Sequence, residues 1–340
     1  MIIPALGKHT VLSALNSFFG DNATRSLIGR DESTAIKGLL MVLIVMGHDT
    51  ILMQGGMSFP FLYSFHIYCF YFLPFLYDYR RKKLSTLIVN NLRRFYVPYT
   101  LTFLLLVALA VATHRHLDIM RLVQTYVCGS QATFGYAFGS GRFMWFIPTM
   151  FMLLIYREIY YRSTWVVRVV LFDLSVFSLL IFAFPCSVLS DAIVYAPCCM
   201  MTALAMLAPA LVCRYLLSRL SRQACALAFF ALIVVDMIFI PLQDFWSYNA
   251  IYRLLSPTVV FLFLLSLRHF FARSRMLIKI GDNSFKIYLI HVFLYQGFYV
   301  VVDRLDIGHS IITGVVLFPV VLVLSYGLSR LKLLDWAFPR

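Results

Sequence analysis

Long apolar runs recur along this chain, separated by short polar breaks, and inside the runs there is no two-residue alternation of apolar and polar positions. They fall near residues 35–53, 58–77, 96–113, 143–156, 164–184, 192–213, 224–241, 254–271, 284–302 and 311–329. Most approach the ~20 residues that a helix needs to cross the hydrocarbon core. Strands of a membrane barrel would alternate and be about half as long, so helices are the remaining way to satisfy backbone N–H and C=O groups in lipid. The pattern predicts an all-α, polytopic integral membrane protein with about ten transmembrane helices, the run at 143–156 being the shortest. Residues 35–330 are expected to form one transmembrane domain, with 1–34 at the cytoplasmic interface and 331–340 as a cytoplasmic tail. The first 34 residues lack the basic start and sustained apolar core of a signal peptide.

Composition agrees: hydrophobic residues make up 61% of the 340 and charged residues 13%, where soluble domains carry about 25% charged residues. Charge adds the orientation. With the basic stretch at 78–95 placed inside, alternation puts Arg157, Arg162, Arg214, Arg219, Arg222, Arg268, Arg273, Arg275, Lys279, Arg330, Lys332 and Arg340 inside as well. The other side receives Arg115, Arg121, Arg142, Arg253 and Arg304. This asymmetry follows the positive-inside rule for a multi-pass protein of the cell inner (plasma) membrane with both termini cytoplasmic. The net charge of +14 is then a topology signal, and no nucleic-acid partner is expected. The seven cysteines show no metal-ligand spacing, so no metal is expected. Nothing in the sequence speaks to oligomeric state.

Against this apolar background a few ionisable residues stand out. In "IKGLLMVLIVMGHD" Lys37 and His48 are 11 residues apart, which places them about 20° from full helical turns, on one face and ~16 Å apart along the axis. Lys37 either snorkels to the interface or lines a polar path; His48 lies deeper. In the second run "FPFLYSFHIYCFYFLPFLY" His66 sits at a similar depth from the outer side, so the two imidazoles either share a cavity or make a structural pair. In "IGDNSFKIYLIHVFLY" Ser284, Tyr288 and His291 share a third face, as helix–helix contacts or as part of a site.

"IKGLLMVLIVMGH", "FHIYCFYF", "LRRFYVPY" at 92–99, "MWFIP" at 144–148 and "IGDNSFKIYLIH" at 280–291 follow one another in an order similar to that of the membrane-bound acyltransferase family 3. The branch it resembles most is fucose 4-O-acetylase-like, over roughly residues 33–330. Two positions depart from that pattern: Thr34 stands where an acidic residue is common, and "LPFLY" with Pro74 follows His66. The resemblance implies about ten helices and transfer of an acyl group, often acetyl from acetyl-CoA, to hydroxyls of cell-surface or lipid-linked saccharides. It matches His48 to the family's membrane histidine and Lys37 to the basic residue before it.

Acyl transfer from a thioester to an alcohol calls for a base, donors to an oxyanion, and cations for the donor's phosphates. The catalytic expectation is therefore His48 as general base with His66 helping or orienting it, an acyl-histidine on His48 being the rival mechanism. Lys37, Arg93, Arg94, Ser284, Tyr288 and His291 are expected on the side of the cofactor, acetyl-CoA or another acyl-CoA, though Arg93 and Arg94 are equally readable as flanking positive charge. Arg142 and Trp145 are expected to meet the saccharide or lipid-linked glycan acceptor, with membrane lipid as the other partner. The alternative class is a transporter or flippase using Asp173 and Asp236.

Overall fold

The protein is described here by a computed structural model, which covers residues 18–19, 26–53, 62, 65–77, 83–114, 117–138, 141–183, 195–239 and 250–338; the side chains of Arg142 and Asp236, among a few others, lie outside that description. Among the described residues every regular element is helical.

Helix falls in each of the ten apolar stretches. The first carries α1 (Arg30–Gly47) and a one-turn continuation, α2 (Thr50–Met53). The second carries α3 (Tyr68–Phe72), which runs into a 3-10 turn at Leu73–Leu76 where Pro74 cannot continue the α-helical ladder. Then come α4 (Leu84–Asn91), a π-helical turn at Leu92–Tyr96 and α5 (Val97–Ala112). After α6 (Ile119–Cys128) and α7 (Gln131–Phe138) follow α8 (Phe146–Arg162), α9 (Trp165–Ala183), α10 (Met200–Leu217), α11 (Arg222–Phe239) and α12 (Ala250–Ser266). The chain ends with α13 (Arg268–Phe271), α14 (Arg275–Asp282), α15 (Ser284–Arg304) and α16 (Ile311–Ser329).

Four helical segments among the described residues are long and apolar enough to cross a membrane: Leu84–Ala112, Pro197–Leu217, Ser284–Arg304 and Ile311–Ser329. The protein is an all-α membrane protein, but by length and composition the spanning helices among the described residues number four where about ten were expected. The reasons are local. α1 opens with Arg30, Asp31 and Glu32, and α3 is five residues long. α8 closes with Arg157, Glu158 and Arg162, and α11 and α12 border residues outside the description.

Two of the breaks between the apolar runs carry helix. The basic stretch at 78–95 is helix from Leu84 onward and continues the third run as one 29-residue element. The stretch at 114–142 holds α6, capped by the Asp118 carboxylate, which accepts from the Met120 and Arg121 amides at 2.9 and 3.4 Å. It stops at Gly129, whose φ of 67° is the left-handed conformation typical after a helix end.

The tightest contact in the fold is between α1 and α14. A Cβ added to Gly38 would lie 2.0 Å from the Leu277 carbonyl oxygen, and one added to Gly281 would lie 1.9 Å from that of Thr34. The two backbones touch, and only glycine on each side permits it. The same end is tied by Glu32, which accepts from the Gly29 amide at 2.7 Å and pairs with Arg268 at 3.5 Å and His269 at 2.6 Å. Residues 1–17 lie outside the description. Phe18 packs 5.4 Å from Phe172 and 5.1 Å from Tyr215.

Candidate active site

Helical spacing builds the site. On α1, Lys37, Met41, Ile44 and His48 follow steps of four, three and four, one continuous face. From His66 through α3 and its 3-10 turn, steps of four, three and four give Phe70, Leu73 and Tyr77. On α15, Ser284, Tyr288 and His291 make a third stripe, and α8 adds Phe146, Met150, Leu154 and Glu158. Apart from the histidines, all of these line a single cavity of about 460 Å³, within the size of small-molecule sites.

The cavity has direction. At one end stand Lys37, Arg94, Arg157, Glu158 and Tyr77; at the other stand Ile44, Phe70, Phe146 and Tyr288. One helical turn beyond that second end lie His48, His66 and His291. The His48 ring centroid is 5.0 Å from that of His291 and 6.3 Å from that of His66. His48 is partly exposed, whereas His66 and His291 are buried. The expected pairing of His48 with His66 is thus a cluster of three. His291, expected beside the cofactor, stands in the histidine layer.

All three imidazoles are held in the same way. Nδ1 of His48 meets the Ile44 carbonyl at 2.9 Å, Nδ1 of His66 that of Leu62 at 2.6 Å, and Nδ1 of His291 that of Ile287 at 3.0 Å. A carbonyl oxygen only accepts, so each Nδ1 carries the proton, and in the neutral ring Nε2 keeps its lone pair. Nε2 of His291 is buried without a hydrogen-bond partner among the described residues. The arrangement supplies proton acceptors with fixed orientation, two of them buried.

His48 also sits at a break in its helix. It caps the end of α1, and Asp49 starts α2 by accepting from the amides of Ile51 and Leu52 at 3.1 and 3.0 Å. The Tyr299 hydroxyl bridges the break, accepting from the Thr50 amide at 2.8 Å and donating to the His48 carbonyl at 3.2 Å.

The charged end differs from its expectation. Arg93 and Arg94 both lie in the π-helical turn, and adjacent helical residues point in different directions. Both arginines are exposed, but Arg94 lines the cavity and Arg93 is not part of the lining. Sequence reading missed Arg157 and Glu158, both of which line it. Glu158 is buried and accepts from Arg162 Nε at 2.9 Å. Ser284 and Tyr288 line the cavity, but the Tyr288 hydroxyl donates to the Phe143 carbonyl at 2.5 Å, so an oxyanion role would require it to leave that bond. Lys286 pairs with Asp335 at 2.6 Å.

Trp145 is half-buried, 6.1 Å from the Tyr71 ring. The side chain of Arg142 falls outside the described residues, as does that of Asp236, and Asp173 is exposed on α9. Cys128, in the loop helix α6, is buried, and burial pushes its thiol up, which makes it a poor nucleophile at neutral pH. No three His, Cys, Asp or Glu side chains among the described residues converge in a way that could hold a metal.

The histidine cluster and the cations thus stand at opposite ends of one cavity. The family model for an acyltransferase domain, acyltransferase family 3, matches residues 31–330, and the chain belongs to that family. No curated protein and no solved structure matches it.

Proposed function

We propose that this acyltransferase moves an acyl group from a cytoplasmic acyl-CoA, acetyl-CoA in the first instance, to a hydroxyl of a saccharide or lipid-linked glycan on the outer side of the inner membrane. The observation that carries the reading is the alignment of three stripes. Each has a histidine at one end and leads down through the cavity, two of them from a polar residue at its mouth. Coenzyme A phosphates cannot enter hydrocarbon unpaired, so the donor's head would stay with Lys37, Arg94 and Arg157, and its thioester would point along the cavity. The ~16 Å from Lys37 to His48 is comparable to an extended pantetheine arm.

The step is a direct transfer. Nε2 of His48 takes the proton of the acceptor hydroxyl as the oxygen attacks the thioester carbonyl. The C–S bond breaks, and the coenzyme A thiolate leaves and recovers a proton. His66 and His291 hold His48 in place. The partial exposure of His48 alone among the three suits approach of the acceptor from the other side, where Trp145 and Arg142 would meet a sugar.

Membranes from cells expressing the protein, given acetyl-CoA labelled in the acetyl group, should place label in a glycan or glycolipid fraction, and membranes with His48→Ala should not. Label recovered solely as free acetate, or substrate uptake with no covalent product, would overturn the reading.

A further inference from the structure

The cavity stops one helical turn short of the histidines, and the four residues at that end are held more firmly than a flexible wall would be. We propose that Ile44, Phe70, Phe146 and Tyr288 form a collar that sets the length of the acyl group, passing acetyl and excluding acyl chains of four or more carbons. The proposal rests on the donor reading above and adds to it the selection among donors.

Three of the collar residues stand one turn from a histidine on the same helix face: Ile44 before His48, Phe70 after His66, and Tyr288 before His291. Whatever lies within reach of the histidines from the cavity must therefore pass between these side chains. Ile44 has no exposed surface and Tyr288 is 1% exposed. Phe146 lies 4.9 Å from Tyr288, 6.0 Å from Phe70 and 5.2 Å from Tyr71, stacked on the last at 30°. Tyr288 is fixed by its bond to the Phe143 carbonyl. Beyond the collar, His66 and His291 are almost fully buried, so a trailing chain on their side would have to displace packed side chains. Close-packed interiors register even one methylene. A rigid apolar pocket discriminates by about 10- to 200-fold per methylene in either direction of size.

The test uses the full-length protein in nanodiscs, with acetyl-, propionyl-, butyryl- and hexanoyl-CoA as probes and water as acceptor. Release of the coenzyme A thiol is followed, and donor binding is measured separately. The parent should bind all four donors within a few-fold of one another yet release thiol from acetyl-CoA at least about tenfold faster than from butyryl-CoA. Ile44→Ala should narrow that ratio at least fivefold, and Phe146→Leu, a smaller loss of volume, should narrow it less while keeping the fold. A parent that turns over butyryl-CoA as well as acetyl-CoA overturns the collar. So does an unchanged ratio in both folded variants, and either result leaves the donor reading standing. A parent that neither binds any of the four donors nor releases thiol from them removes the donor reading and the collar together.

Discussion

The histidine layer and the cavity beneath it share α1, α3 and α15, yet they are made in opposite ways. In the layer each imidazole is tied to the backbone carbonyl four residues before it, and two of the three rings are buried. At the cavity mouth the cations come from α1, α8 and the π-helical turn, and Lys37 and Arg94 keep access to solvent. The layer is local and fixed, with two of its rings buried; the mouth is assembled from distant segments and open to solvent. On the function proposed above, this difference suits a divided task, in which charge is captured at the mouth and the proton moves at the layer.

The sharpest break of this comparison removes both regions at once, because both hang on α1. Gly281→Ala places a methyl group against the Thr34 carbonyl, and backbone cannot yield as a side chain would. A loss of about 3 kcal/mol or more is expected, read as a fall in thermal midpoint and in monodisperse yield from detergent. Gly297, on α15 with nothing within 4 Å of an added Cβ, is the control. Alanine there should leave the midpoint equal or slightly higher. Equal behaviour of the two variants would mean that α1 and α14 do not rely on contact of their backbones.

Separating the regions comes next. His48→Ala should lower turnover by about 10² to 10⁴ while leaving acyl-CoA affinity within a few-fold of the parent, since His48 is outside the cavity lining. Loss of donor binding in this variant, with the fold intact, would dissolve the distinction between layer and mouth.

The reverse separation is expected to be smaller. Arg94→Gln should raise the apparent KM for acyl-CoA about 10- to 100-fold, as the loss of a charge-assisted contact to phosphate, with little change in the acceptor's KM. Arg93→Gln should do almost nothing, because Arg93 is not in the lining. Raising the salt concentration should weaken donor binding to the parent more than to Arg94→Gln. Equal effects from the two arginines would place the phosphates on the outer surface of the helix.

The same contrast explains what the sequence made legible. His48, His66 and His291 stand out because an imidazole within an apolar run is rare, and their stripes follow from spacing along single helices. Lys37 was legible for the same reason. Arg157 and Glu158 were not, since a charged residue at the end of an apolar run is ordinary positive-inside material until α8 is seen to line the same cavity as α1 and α3. Arg93 and Arg94 were indistinguishable because adjacent basic residues read alike, and which of the two meets the cavity is set only once the turn at Leu92–Tyr96 is packed in place. The stretches of helix were found, but their spanning count was not, because window hydropathy does not register the 3-10 turn at Pro74 or the charged start of α1. The contact of Gly38 with Gly281 joins residues 243 positions apart, a distance at which periodicity says nothing.

The smallest effect tests whether the layer is as local as it looks. His48 is tied to its own helix through Nδ1, but its carbonyl accepts from Tyr299 on α15, and the same hydroxyl takes the Thr50 amide across the break between α1 and α2. Tyr299→Phe removes that bridge and keeps the ring stacked 5.7 Å from Tyr295. Thr50 is exposed, so water can replace the lost acceptor for its amide, and the cost should be about 1 kcal/mol of stability. The rate is expected to fall only a few-fold, with both KM values near the parent's, because Nδ1 of His48 keeps its own carbonyl. A fall as deep as that of His48→Ala would show that the helix break, rather than the bond along α1, sets the position of the imidazole, and the layer would then depend on distant segments as much as the mouth does.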